Sequence, residues 1–475
     1  MVHDRRTRIV ATVGPASREP GMLAALVEAG VNVFRLNLSH GTQEQHLEVI
    51  NRIRQLGHQT RKHIAILGDL CGPKIRVGLF PGGSVVLKAG AEIVVTTRDV
   101  PGSDSVVPSQ YANLHQDVRP DARILLDDGL LELRVLRVEG SEVHCRVIHG
   151  GTLGDKKGIN LPGSNLSTAA LTSKDKEDAD FLLKQGVDLL ALSFVRRPGD
   201  IEDLRKVIDA AGRSTPIIAK IEKPEAIESL DGILEAADGV MVARGDLGVE
   251  MPLEMVPIIQ ADIIEKARAK SKPVIVATQM LESMVSQPRP TRAEASDVST
   301  AVFAGADAVM LSAETARGQY PIDTVRTMDR ICRKVEAWQS LETGFRQPAA
   351  RGDIADRMHA VSLRRAIGRS TAQLSQDLRV RAIMVRSKGG TSAAIISSTR
   401  PSAPIVALTT DERVARRMSL LWGVIPRVIT QEEFDRPKAT ARHHALALGL
   451  VEPGQHLLLL SGLGKLEPSL TVLPL

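Results

Sequence analysis

The chain repeats one pattern of apolar and polar positions: an amphipathic stretch, a glycine, then a short run rich in β-branched residues. "MLAALVEAGVNVFRLN" and "DFLLKQGVDLLALSFV" are two instances, and "LEAADGVMVARGD", "ARAKSKPVIVATQM" and "AVFAGADAVMLSAE" follow the same plan. Short apolar strands alternating with helices predict parallel βαβ units. The pattern predicts strands at 8–13, 31–37, 63–69, 187–193, 216–221, 239–243, 273–278 and 307–312. Eight such strands are the number that closes a (β/α)8 barrel, and an open doubly wound sheet is the competing reading.

Residues 73–166 break the pattern. Alternating segments such as "SVVLKAGAEIVVTT" and "ILLDDGLLELRVLRVEGSEVHCRVI" carry many glycines and no convincing helix, which predicts a small all-β domain inserted after the third barrel strand. The polar stretch "LETGFRQPAARGDI" at 341–354 reads as a linker. Beyond it "RAIMVRS", "APIVALT", "VIPRVI" and "HLLLLSG" alternate again with helical segments. The expected organisation is therefore a TIM barrel from 1–72 and 167–340, an inserted β domain at 73–166, and a C-terminal α/β domain at 341–475.

A length of 475 residues suits two or three domains, and 43% apolar with 25% charged residues is ordinary for a soluble globular protein. Cys71, Cys145 and Cys332 form no C-x-x-C pair, which argues against a disulfide framework or zinc site and for a reducing cytoplasm. "MVHDRRTRIVATVGP" places basic residues before an apolar run too short for a signal peptide, so a strand fits better. No run approaches the ~18 apolar residues of a membrane span. The net charge of +5 comes from scattered Lys and Arg, and aromatics are only 2%. That balance argues against nucleic acid and suits small polyanionic ligands.

In such a barrel, chemistry sits where the strands end. Strand two ends "FRLNLSH", with Arg35, Asn37 and Ser39 on one face by period two, and strand three ends at Asp69. Strand five ends with Lys220 and Glu222 on one face, and strand six leads to Arg244 and Asp246. Thr278 follows strand seven, and Ser312 and Glu314 follow strand eight. A lone charged strand end usually just meets water; six of eight at one rim read as an active site. Glu222 and Asp246 offer two hard oxygen ligands suited to Mg²⁺, although pairing with Lys220 and Arg244 would explain them equally well. Arg35 and Arg76 offer forks for phosphate, Lys220 can stabilise an anion formed beside the metal, and Gly245-Asp246 can open a helix whose amides hold a carboxylate. The residues themselves therefore point to a Mg²⁺-assisted enzyme acting on a small phosphorylated or carboxylated metabolite. No P-loop is present.

"RIVATVGPAS", "FRLNLSHG", "GDLCGPKIR", "GGTLGDKKGINLPG", "VMVARGDLGVE", "VIVATQMLESM" with "PRPTRAEASDV", and "AVMLSAETARGQYP" together resemble the pyruvate kinase family. The resemblance implies phosphoryl transfer from phosphoenolpyruvate to ADP, giving pyruvate and ATP, as the last step of glycolysis. It implies that Arg35 grips the transferring group, and that Lys220 stabilises it and the enolate. Glu222 and Asp246 would bind Mg²⁺, for which Mn²⁺ can substitute. Gly245, Asp246 and Thr278 would touch the substrate, with Ser312 and Glu314 behind Thr278 on the route that protonates the enolate. Asn37, His40 and Arg76 would meet the nucleotide, and Lys157 would reach ADP when the inserted domain closes as a lid. Cys71 reads as buried filler, Thr291 and Glu294 as a capping box, and Asp127-Asp128 as a β-turn, with contact to the nucleotide as the other reading.

Many members of this family carry glutamate at the position of Lys74 and require K⁺, held by residues matching Asn37, Ser39 and Asp69. A lysine ammonium can supply the charge that the cation would bring, and the two would repel each other at short range. The resemblance thus implies a K⁺-independent enzyme with a vestigial cation site. It further implies a homotetramer and a phosphorylated effector, a sugar phosphate or AMP. That effector is expected at Ser387, Lys388, Gly389, Gly390, Thr391 and Ser392, where a Gly/Ser loop opens a helix; an ordinary turn is the alternative reading. The closing "SGLGKLEPSLTV" departs from the family's effector loops. Two rival functions are a Mg²⁺-dependent pyruvate-enolate lyase or aldolase, which would need neither ADP nor Lys157, and a catalytically dead metabolite sensor.

Overall fold

The computed structural model describes residues 5–164, 167–342, 362–463 and 468–475. Most of the linker expected at 341–354, the insert boundary at 166 and part of the closing "SGLGKLEPSLTV" lie outside the described residues. Eight parallel strands close into a barrel: β1 (Arg8–Thr12), β2 (Val33–Asn37), β3 (Ala65–Asp69), β4 (Leu189–Leu192), β5 (Ile217–Ile221), β6 (Gly239–Ala243), β7 (Val274–Ala277) and β8 (Ala308–Leu311). Neighbours run β1-β2-β3-β4-β5-β6-β7-β8 and back to β1. The open-sheet alternative is thereby excluded. Several strands are shorter than their apolar runs, because the flanking positions, buried or half-buried, already turn into loops.

The barrel strands are buried on both faces, which is why they read as continuous apolar runs. Val10, Val33, Leu67, Ile218, Met241, Ile275 and Met310 fill the interior, together with Leu420 of the C-terminal domain. Ile9, Phe34, Ile66, Val240 and Val309 face outward into the layer of helices.

Between β3 and β4 the insert forms a six-stranded sheet and a two-stranded one around its own core of Ile93, Val95, Leu133, Val143 and Val147. One helical turn, Leu114–Asp117, interrupts it where no helix was expected. The C-terminal domain has five strands, Ile383–Arg386 at the centre. Its last strand, Ser469–Pro474, runs antiparallel to His456–Ser461 and was not anticipated. Arg400 of this domain pairs with Asp307 at the start of β8 at 3.0 Å, both side chains about 95% buried, and lies 4.9 Å from the Trp422 ring centroid.

Candidate active site

At the carboxyl ends of β2, β3 and β5 an ion network forms. Nε of Arg35 lies 2.6 Å from Oδ2 of Asp69, and Nη1 donates to the Thr12 hydroxyl at 3.0 Å. Nζ of Lys220 lies 3.5 Å from the other oxygen of Asp69 and 2.8 Å from Oε1 of Glu222. It also donates to the Ser193 hydroxyl at 2.7 Å, and that hydroxyl donates to the Leu70 carbonyl. Lys220, Asp69 and Glu222 are nearly out of water, so their charges act at low dielectric.

Burial raises the Asp69 carboxyl, but Lys220 and Arg35 outweigh it and hold the pKa below its usual value. Burial lowers Lys220, and Asp69, Glu222 and Asp246 more than reverse it, so the ammonium stays charged. Glu222 goes the other way: burial, with the like charge of Asp246, raises its carboxyl despite Lys220. Two carboxylates that repel each other beside a cation-rich cleft suit a divalent ion, and neither is consumed by Arg244. That guanidinium pairs with Asp297 at 2.5 Å and donates to the Thr278 carbonyl. The alternative of Lys220 pairing with Glu222 is realised together with the proximity of Asp246; pairing of Arg244 with Asp246 is not.

Asp246 and Gly245 lie in the first turn of the helix Arg244–Glu250. The Gly245 amide donates to Oγ1 of Thr278 at 2.7 Å. Thr278 has φ +69°, a strained conformation for a β-branched residue that active sites tend to retain. Behind it, buried Glu314 accepts from the amides of Leu281 at 3.1 Å and Ser312 at 2.7 Å, and burial raises its carboxyl pKa.

The residues expected to meet the nucleotide divide into two groups. Asn37 accepts from the Ser39 amide at 3.2 Å, at the end of β2 beside His40. Burial lowers the His40 pKa, and the charges of Lys74, Arg76, Arg35 and Arg317 push it further down. Lys74, Arg76, Lys157 and Asp246 line a cleft of about 280 Å³ between insert and barrel, with Asp127 and Asp128 on its wall. Lys157 lies 2.9 Å from Asp127, and Arg76 donates to the Lys156 carbonyl at 2.7 Å. Asp127 and Asp128 both have positive φ, as the turn reading requires.

The expected effector residues are not part of this rim. Gly389, Gly390 and Thr391 line a separate cavity of about 620 Å³ against the opposite end of the barrel, near Pro216 and Pro273. Ser387 is buried and its hydroxyl accepts from the Ala393 amide, while Lys388 is exposed and Ser392 half-buried. Thr291 and Glu294 form the expected capping box. Cys71 is half-exposed instead of buried.

Thr12, Ser193 and Arg317 were missed by sequence reasoning. Thr12 and Ser193 sit at strand ends like the others, but a lone hydroxyl carries no signal until closure of the barrel sets it against Arg35 or Lys220.

Comparison with known proteins points the same way as the geometry. Residues 4–325 match the sequence model described as "Pyruvate kinase, barrel domain", and residues 365–471 match "Pyruvate kinase, alpha/beta domain". The chain is 48% identical to pyruvate kinase 2 of Synechocystis sp., over 90% of this chain and 71% of that one. It is 44% identical to pyruvate kinase of Geobacillus stearothermophilus, over 96% and 78%. A crystal structure of a pyruvate kinase from Cryptosporidium parvum superposes with a TM-score of 0.89 at 33% identity, covering 99% of this chain and 96% of that one. With its barrel, its insert and its C-terminal domain all matched, the chain belongs to the pyruvate kinase family.

Proposed function

We propose that the rim of the barrel transfers the phosphoryl group of phosphoenolpyruvate to ADP with Mg²⁺ and without K⁺. The observation that carries this reading is the placement of Lys220, 2.8 Å from Glu222 and 3.5 Å from Asp69, beside the Arg35–Asp69 pair. Phosphoryl transfer asks mainly for positioning and charge stabilisation, and this cluster offers both.

Glu222 and Asp246 would hold the divalent ion, which supplies Lewis-acid stabilisation of the enolate oxygen when bound. Arg35, oriented by Asp69 and Thr12, grips the transferring phosphoryl oxygens. The bond from phosphorus to the enol oxygen breaks as the bond to the terminal phosphate oxygen of ADP forms. Lys220 faces the negative charge that grows on both. The enolate left behind takes a proton at carbon, with Thr278, Ser312 and Glu314 on the proposed route; a carboxyl raised by burial is suited to hold that proton. His40, Arg76 and Lys157 receive the nucleotide as the insert closes.

Lys74 lines the nucleotide cleft and its charge is felt at His40, which supports its role as the fixed replacement for a monovalent cation. Asp69, Asn37 and Ser39 would then be a relict of a cation site, with Asp69 committed to Arg35 and Lys220. The loop Ser387–Ser392 fits a phosphorylated effector: Gly390, with φ +93°, opens the helix Thr391–Ser398, and Arg413 and Arg417 line the same cavity. A homotetramer accompanies this reading.

Replacing Lys220 by Gln tests the reading. Turnover should fall roughly 10²–10³-fold, as for loss of a preorganised charge at a transition state, with phosphoenolpyruvate still bound. A Lys220→Gln enzyme that turns over like the wild type would overturn it.

A further inference from the structure

One buried carboxylate near the cleft has no part in the phosphoryl transfer itself. Glu250 ends the helix Arg244–Glu250, the same helix that carries Asp246 in its first turn. Its Oε1 accepts from Nζ of Lys223 at 2.5 Å and from Nδ2 of Asn160 at 3.1 Å. Lys223 directly follows Glu222, and its ammonium lies 5.9 Å from the ring centroid of Phe194, whose amide donates to Glu222. Asn160 belongs to the short strand Ile159–Asn160 of the insert, close behind Lys157. The segments bearing Glu222, Asp246 and Lys157 therefore meet at one oxygen atom.

The side chains of Lys223 and Glu250 are only 7% and 1% exposed. A charge-assisted bond in such a place is strong, and removing either partner strands the other. Tyr111, Asn113 and Asp117 of the insert bond to Ser167, where the chain returns to the barrel. Among the described residues, the bond from Asn160 to Glu250 is the side-chain hydrogen bond that joins the insert to the barrel away from that return.

We propose that Lys223 and Glu250 are positioning residues that dock the insert through Asn160, and so fix how far Lys157 stands from Glu222 and Asp246. The pair is rigid because it is buried; Asn160 is half-buried and neutral, so its bond can form and break as the insert moves. Asn160 and Lys223 border the cleft, but the polar ends of both side chains are turned to Glu250. Their effect falls on the half of the reaction that needs the insert, the capture of ADP, and not on the grip of the barrel on phosphoenolpyruvate. The proposal rests on the phosphoryl-transfer reading.

The test uses the full chain with the wild type in parallel. Asn160→Asp sets a second carboxylate against Glu250, and should raise KM for ADP by about tenfold, the usual scale for loss of a supporting contact. KM for phosphoenolpyruvate and the thermal midpoint should stay as they were. Asn160→Ala removes the donor without adding a charge to the cleft and leaves the Lys223–Glu250 pair whole, and should raise KM for ADP in the same direction. An active enzyme whose KM for ADP is unmoved by Asn160→Asp, or moves together with that for phosphoenolpyruvate, would overturn the joint alone. A wild type that forms no pyruvate would overturn the phosphoryl-transfer reading and the joint with it.

Discussion

Lys74 puts a fixed positive charge in the cleft between insert and barrel, and His40 registers it. Burial and the charges of Lys74, Arg76, Arg35 and Arg317 hold the His40 imidazole below its ordinary pKa of 6.5. Its stability contribution is therefore present above pH 6.5 and is lost as pH falls through the folded value, because the unfolded chain takes the proton more readily. An NMR titration of the His40 ring should find its midpoint below 6.5, and Lys74→Glu should move it upward. An unchanged midpoint in that variant would mean that the ammonium does not face the site. At this scale the sequence was legible where several residues shared a period: Arg35, Asn37 and Ser39 fall on one strand face, Lys220 and Glu222 on another. Arg317 and Glu250 were not legible, since nothing local separates them from ordinary solvent-facing charges. What gives each a role is a partner that is distant in the sequence.

Elements were easier to place than their ends. The barrel strands announce themselves because burial on both faces makes them uniformly apolar, whereas Leu114–Asp117 is too short to show a helical period. Ser469–Pro474 hides for another reason, as an exposed edge strand alternates weakly. Gly68 in β3 shows how a single position sets the packing of one element on another. A Cβ there would lie 2.5 Å from Cδ1 of Leu182, on the helix Ser173–Lys184. Gly68→Ala should therefore push that helix off the strand bearing Asp69, costing about 1–3 kcal/mol of overpacking. Urea unfolding measures the loss, and an unchanged midpoint would show that Leu182 simply turns aside.

Over the whole molecule, barrel, insert and C-terminal domain divide the labour. The barrel carries the proposed metal and phosphoryl ligands, the insert brings Lys157 to the cleft, and the C-terminal domain closes the opposite end with Leu420 and the Arg400–Asp307 pair. The composition of each segment made this division legible, because β-only and alternating patterns differ over long stretches. The cavity against the foot of the barrel was not, since it exists only once the domains meet. The most direct test of the whole is the rate of pyruvate formation from phosphoenolpyruvate, ADP and Mg²⁺ in buffer free of K⁺, Na⁺ and NH₄⁺, followed by addition of KCl. Full, ADP-dependent turnover that KCl leaves unchanged is the predicted result; turnover that appears only after KCl would contradict Lys74 as the built-in cation.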